Sequence, residues 1–112
     1  MHVHWSTNGT NVQPVKWQLS YISAAGHDQA NFGTDTVLTL EEAAAGTAWR
    51  HMITEDATGF VIPEVDSLVI LELKRITNGG TENTDAVFGL FVDIHYEVGQ
   101  VATPNRIPDF YG

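Results

Sequence analysis

Large apolar and polar residues alternate without interruption in Val15-Lys16-Trp17-Gln18-Leu19-Ser20-Tyr21, the clearest strand pattern in the chain. Successive side chains of a β-strand point to opposite faces, so this alternation predicts a strand with one buried and one solvated face. We predict that the strand extends over residues 15–22. Its apolar face requires a second layer of structure to cover it.

Other extended segments flank this strand. Residues 2–6, 34–40, 48–54, 60–62, 68–76 and 86–98 have strand-like composition and are separated by polar or glycine-containing turns. Asn8-Gly9 is a hairpin signal, so we expect strand 2–6 to pair with strand 15–22. Thr39-Leu40-Glu41-Glu42, followed by three alanines and Gly46, matches a capping box with a glycine stop and predicts a short helix.

These elements predict an all-β fold, an antiparallel β-sandwich of jelly-roll type with that short helix. The length of 112 residues suits one hydrophobic core. We expect a β-sandwich domain over residues 1–98 and an extended C-terminal arm over residues 99–112, where Pro104 and Pro108 interrupt any regular pattern.

Charge and composition exclude several classes of function. Fourteen acidic residues against five Lys and Arg give a net charge of -9, which disfavours nucleic acid and acidic membrane surfaces as partners. The apolar runs are shorter than the roughly 20 residues that span a bilayer. The absence of cysteine excludes thiol nucleophiles and thiolate metal sites. The N-terminus lacks the pattern of a signal peptide, so we expect synthesis in the cytoplasm.

The sharpest candidate site joins the two ends of the predicted domain. His2 and His4 share one strand face, and Asp93, His95 and Glu97 share the polar half of the last strand. If these strands pair, three histidines and two carboxylates converge, a ligand set that suits zinc, iron or nickel. The same residues also fit ordinary structural histidines or histidines that meet at an oligomer axis, and we expect no obligatory cofactor.

Other candidates concern surfaces rather than catalysis. Trp5 and Trp17 fall on apolar strand faces and are predicted to be core, whereas Trp49 is a candidate carbohydrate contact. Phe110 and Tyr111 are candidate anchors on a neighbouring subunit. No catalytic residues are predicted, because the chain has neither a nucleophile elbow nor a phosphate-binding glycine loop.

Four motifs in order carry a resemblance to a known family. They are His2-Val3-His4-Trp5, Val15-Lys16-Trp17-Gln18-Leu19-Ser20-Tyr21, Leu71-Glu72-Leu73-Lys74-Arg75-Ile76 and Val92-Asp93-Ile94-His95-Tyr96. Together, over residues 2–98, they resemble a family of tailed-bacteriophage virion proteins with a His-x-His-Trp strand and an Asp-x-His-Tyr strand. The resemblance implies a β-sandwich module of a capsid, fibre or tail that assembles as a trimer and has no catalytic residues.

The resemblance therefore leads us to expect a non-enzymatic virion structural protein, acting as a capsid decoration or head protein or within a fibre or tail. Its expected location is the virion and its partners are copies of itself and other virion proteins. Relatives carry a strand-forming segment upstream of the His-x-His-Trp strand, so we expect a partner chain to cover the edge beside strand 2–6. The alternative is a small-ligand module, either carbohydrate-binding or metal-dependent in the manner of a cupin.

Overall fold

The described part of the chain contains six antiparallel strands in two sheets. The structure, a computed structural model, describes residues 1–62 and 66–95. The strands are β1 (His2–Thr7), β2 (Pro14–Ala24), β3 (Thr36–Ala43), β4 (Met52–Glu55), β5 (Leu68–Ile76) and β6 (Val87–Asp93). One sheet has the order β4-β1-β6 and the other β3-β2-β5. The prediction of an all-β antiparallel fold is confirmed.

The core lies between the two sheets. Val3 and Trp5 of β1 pack against Val15 and Trp17 of β2, and the two indole rings lie 6.2 Å apart. Both tryptophans are almost fully buried, as predicted. Burying each such large apolar side chain stabilises the fold by about 1.5–3 kcal/mol. The apolar side chains that alternate along β1 and β2 therefore hold the two sheets face to face.

The predicted hairpin between β1 and β2 is wrong, because the two strands lie in different sheets. Their apolar faces must meet across the core, and strands paired side by side in one sheet could not place Trp5 opposite Trp17. Asn83, which is buried, holds the crossing segment in place: its Nδ2 donates hydrogen bonds to the carbonyl oxygens of Asn11 (3.2 Å) and Gln13 (2.9 Å).

The predicted short helix after Thr39 is also wrong, since the residues that the structure describes form no helix. Strand β3 continues through Ala43 and pairs with β2 along its whole length. A helix of about two turns gains little stability on its own. Extended pairing instead buries Leu40 in the core, and this tertiary contact overrides the local helix signal.

Strand β6 contains a bulge that changes which side chains face the core. His4 pairs with Phe91 and Trp5 pairs with Gly89, so Leu90 is an extra residue on β6. Val87 and Val92 pack against the core. A Cβ on Gly89 would lie 3.3 Å from the Trp17 ring, so the glycine makes room for that indole. The regular alternation of inward and outward side chains in a strand is therefore interrupted at Leu90.

The remaining predictions of strand bounds agree with the structure to different degrees. Strand β5 has the predicted bounds, β4 begins later than expected, and residues 60–62 are not a strand. The predicted arm over residues 99–112, with Phe110 and Tyr111, lies outside the described residues, as does Glu97. Within the described ranges, no helix has the length and apolar character needed to cross a membrane.

Candidate functional site

The candidate site lies on the outer face of sheet β4-β1-β6. Because Val3 and Trp5 face the core, His2 and His4 face away from it. Strand β6 pairs with β1 so that Asp93 lies opposite His2. The first and last described strands do pair, which is the condition on which the candidate site depended, and the pairing brings together residues that are about 90 positions apart in the sequence.

Asp93 is the centre of the cluster. Its Oδ2 lies 3.1 Å from His4 Nε2 and 3.3 Å from His95 Nε2, both within hydrogen-bonding distance. Its Oδ1 lies 3.3 Å from His2 Nδ1. One carboxylate thus contacts all three of the histidines predicted to converge here.

Two further residues contact the histidine rings from the other side. His51, just before β4, places its Nε2 2.7 Å from His4 Nδ1. Glu55, opposite His2 on β4, places its Oε1 3.6 Å from His2 Nε2. Four of the five histidines of the chain therefore belong to one cluster, which we call the histidine face: His2, His4, His51, His95, Asp93 and Glu55.

His4 is the most enclosed member of the histidine face. Its ring stacks on Phe91 with a centroid separation of 4.0 Å, and the residue is buried although it points away from the core. When its Nε2–H donates to Asp93, a neutral His4 can only accept at Nδ1, so the hydrogen comes from His51 Nε2–H. The contacts therefore fix one tautomer for each of these two rings.

The environment of Asp93 has opposing effects on its charge. Partial burial raises the pKa of this carboxyl, but the pKa stays below its ordinary value of 3.8, and the hydrogen bonds from His4 and His95 are the largest of the effects that lower it. The carboxylate is consequently ionised at neutral pH. Its Oδ1 is inaccessible to solvent and accepts no hydrogen bond of adequate geometry, despite the nearby His2.

Exposed apolar side chains surround the histidine face. Phe88 and Phe91 of β6 and Ile53 of β4 share its outer surface, and Trp49 stacks on Phe88 at 5.6 Å. Trp49 is 68% exposed and its backbone has a left-handed conformation. Its backbone N–H donates to the Thr7 carbonyl oxygen at 2.7 Å. We call Ile53, Phe88, Phe91 and Trp49 the apolar rim. Exposed aromatic clusters of this kind are typical of contact surfaces.

A separate cavity lies on the other sheet. It has a volume of about 140 Å³ and is lined by residues of β2 and β5 and by Asp35. Pockets that bind small organic ligands usually enclose about 300–1,000 Å³, so this depression is too small for that role.

Most of the candidate site follows from the predicted residues, but two members of the histidine face, His51 and Glu55, were not predicted. His2, His4, Asp93 and His95 meet as expected, and Trp49 is exposed as expected. Sequence reasoning missed His51 as a member of the cluster. The signal was available, because His51, Ile53 and Glu55 alternate toward one face just as His2 and His4 do.

Comparisons with protein-family models, with curated proteins and with solved structures found no match for this chain.

Proposed function

We propose that the chain is a non-enzymatic structural protein of a tailed-bacteriophage virion. In this proposal it is a β-sandwich of jelly-roll type that assembles as a trimer, either on the capsid as a decoration or head protein or within a fibre or tail. It is made in the host cytoplasm and its partners are other copies and other virion proteins, without nucleic acid or membrane. The virion assignment and the trimer rest on the four motifs of the family resemblance.

The order of the strands supports the jelly-roll part of the proposal. A jelly roll is a long antiparallel hairpin wound up so that successive strand pairs alternate between two sheets. Strands β2 and β3 can form the tip of such a hairpin, and β1 with β4 the next pair in the opposite sheet. Strand β5 then joins β2, and β6 joins β1, as the winding requires.

The apolar rim is the observation that carries assembly as the function. Its three largest side chains, Trp49, Phe88 and Phe91, are 68%, 42% and 52% exposed on one face. Aromatic residues in the centre of a protein interface contribute most of the binding energy, and their exposure in an isolated chain is unfavourable. Burial of this rim against another subunit removes it from water.

The mass of the native particle tests the assembly. Light scattering on the purified chain should give three chain masses, and the double variant Trp49→Ser/Phe88→Ser should dissociate to monomer. Val61→Ser is the matched control, since Val61 is 85% exposed but outside the rim, and it should leave the mass unchanged. A wild-type monomer at all concentrations, or a double variant that keeps the wild-type mass, argues against assembly through this surface.

The virion assignment has its own test. Mass spectrometry of purified particles of the phage that encodes the chain should detect it in amounts comparable with other structural proteins. Its absence from the particles, with abundant chain in the soluble fraction of infected cells, would overturn the location while leaving the assembly result intact.

Carbohydrate binding is a second candidate, favoured by the exposure of Trp49. One face of its indole stacks on Phe88 and the ring is largely open to solvent, which suits stacking against a sugar. Glycan-array binding that Trp49→Ser abolishes would favour this function. The position of the histidine face argues against the cupin-like alternative. A cupin holds its metal between its sheets, whereas the histidine face lies outside them.

A further inference from the structure

We propose that His2, His4 and Asp93 bind one divalent transition-metal ion of the zinc class, with His51 and Glu55 orienting the two imidazole rings. All five residues belong to one chain and none is an aromatic member of the apolar rim. The metal site can therefore be tested independently of the proposed assembly.

The spacing of the ligand atoms carries the proposal. One atom from each of His2, His4 and Asp93 lies within 4.8 Å of the others. His2 Nδ1 lies 3.3 Å from Asp93 Oδ1, and His4 Nε2 lies 3.1 Å from Asp93 Oδ2. With bonds of about 2.0–2.2 Å to zinc, neighbouring ligands of a tetrahedral ion are about 3.3 Å apart. A small closing movement of the two rings is enough to surround an ion.

The unsatisfied oxygen of Asp93 is an independent observation that points to a cation. Asp93 Oδ1 is inaccessible to solvent and lacks a hydrogen-bond donor of adequate geometry. A buried carboxylate oxygen without a partner is costly. An ion between this oxygen and the histidine nitrogens satisfies it, and the net charge of -9 on the chain favours a cation.

The contacts of the remote ring nitrogens match the usual support of metal-bound histidines. A histidine that binds a metal through one nitrogen generally donates its other N–H to a carboxylate or another acceptor. His2 Nε2 has Glu55 Oε1 at 3.6 Å, and His4 Nδ1 has His51 Nε2 at 2.7 Å. The His4 ring is thus held by a hydrogen bond on the side away from Asp93, and the His2 ring has a carboxylate within ion-pair distance on that side.

Metal binding requires one rearrangement of protons within the cluster. For neutral rings without the ion, the contacts are satisfied when His4 carries its proton on Nε2 and donates to Asp93 while His51 donates to His4 Nδ1. When Nε2 binds the ion, the His4 proton moves to Nδ1 and His51 Nε2 becomes the acceptor, with its own proton on Nδ1. Both rings remain neutral, so no proton is lost from this pair.

The ligand types indicate which metals fit. Two imidazole nitrogens and one carboxylate suit zinc and its first-row neighbours, whereas calcium and magnesium prefer oxygen ligands. Three protein ligands leave at least one coordination position for water or a further group. His95 lies beside this position, with its ring 4.2 Å from that of His2.

Titration of the chelator-treated full chain with zinc chloride alone tests the proposal. Calorimetry should give one ion per chain. Nitrogen NMR of the unmodified chain should show His2 Nδ1 and His4 Nε2 moving to metal-bound positions, while the ring of His27 is unchanged. If the rings of His2 and His4 do not respond at zinc saturation, the site is wrong, and this result needs no variant.

Variants test the separate roles. His51→Ala should weaken zinc binding by roughly 10–100-fold, the range for residues that orient a ligand, and Asp93→Asn should weaken it by more. His27→Ala is the control, because His27 lies in the loop between β2 and β3, away from the cluster, and its loss should leave the affinity unchanged. Wild-type affinity in Asp93→Asn, or an equal loss in His27→Ala, would overturn the assignment.

Discussion

The hydroxyl group of Thr54 on β4 makes two hydrogen bonds, one to β1 in its own sheet and one to β3 in the opposite sheet. Trp5 Nε1 donates to Thr54 Oγ1 at 2.8 Å, and Thr54 Oγ1 donates to Glu42 Oε2 at 2.7 Å. Thr54→Val keeps the shape of the side chain but leaves the buried indole N–H without an acceptor. We expect it to lower the free energy of unfolding by about 1–3 kcal/mol, measured by urea denaturation.

A second threonine provides the control for this prediction. Thr39 is exposed on β3, so Thr39→Val should change the free energy of unfolding by no more than about 0.5 kcal/mol. Equal effects of the two substitutions would mean that the loss of a hydroxyl from a strand, rather than the bridge between the sheets, determines the result.

Glu82 should make the stability of the chain depend on acid. Hydrogen bonds from the Thr77 hydroxyl and the Asn78 N–H, with a smaller effect of the Arg75 charge, hold the pKa of Glu82 below its ordinary value of 4.5 despite some desolvation. The stabilisation is complete above the unfolded-state pKa and is lost as pH falls through the lower folded-state pKa. Glu82→Gln should therefore be less stable than wild type at neutral pH, and the difference should vanish in acid.

Urea denaturation of both proteins between about pH 6 and about pH 3 measures this difference. The Thr77→Val background is the control, since it removes one of the two hydrogen bonds that favour the charged form. In that background Glu82→Gln should have a smaller effect at neutral pH. A gap between wild type and Glu82→Gln that stays constant with pH would show that the carboxylate charge is unimportant.

At the scale of elements, the sequence predicts best those strands whose pattern is local. Strand β5 has the predicted bounds, and β2 is slightly longer than predicted, because their apolar residues identify extended structure without reference to distant contacts. The helix signal at Thr39 failed for the opposite reason. Pairing of β3 with β2 is a long-range interaction, and it outweighs a weak local preference.

The site was predictable in part, because its residues depend on sheet pairing. The alternation of His2 with His4 and of Asp93 with His95 gave the correct faces, and pairing of the first and last strands brought them together. The bulge at Leu90 could not be read from local patterns, and the alternation of His51 with Ile53 indicates only the face of His51, not its contact with His4. Both depend on how β6 and β4 fit against β1 from opposite sides.

Asn83 joins two connecting segments at one end of the sheets. Its side chain donates to the Asn11 and Gln13 carbonyls, its Oδ1 accepts from the Asp85 N–H at 3.0 Å, and its carbonyl accepts from Arg75. Asn83→Ala removes three side-chain hydrogen bonds at a buried position. We expect it to lower the free energy of unfolding by about 2–4 kcal/mol in chemical denaturation, since each lost bond contributes about 1 kcal/mol.

The matched control is Asn31→Ala, at an exposed position of the loop between β2 and β3, where we expect a change within about 0.5 kcal/mol. If Asn83→Ala were as mild as Asn31→Ala, the crossing between the sheets would be held by its backbone conformation rather than by the Asn83 side chain.

For the whole molecule, the two sheets differ in the residues that lie on their outer surfaces. Sheet β4-β1-β6 carries the histidine face and the apolar rim, which meet where Phe91 of the rim stacks on His4. A net charge of -9 keeps separate copies apart by repulsion, while the rim favours contact. Binding of a cation at the histidine face would lower the repulsion next to the rim. Metal binding and assembly, although independent as proposals, would then act in the same direction.

If the chain assembles as proposed, the strand order predicts which sheet edges become covered. Strand β1 is central, so the expectation of an open edge beside it is wrong. Among the described residues, β5 pairs only with β2 and β6 only with β1. In a complete jelly roll of eight strands, the two additional strands would pair with these outer edges, whereas β3 and β4 would remain at the margins.

Hydrogen exchange of the isolated chain and of the assembled particle should therefore show new amide protection along β5 and β6. Strands β3 and β4 are the internal control and should change little. Protection that appears on β3 and β4 instead would contradict the jelly-roll order, and unchanged exchange on all four strands would mean that assembly proceeds through the apolar rim without the addition of strands.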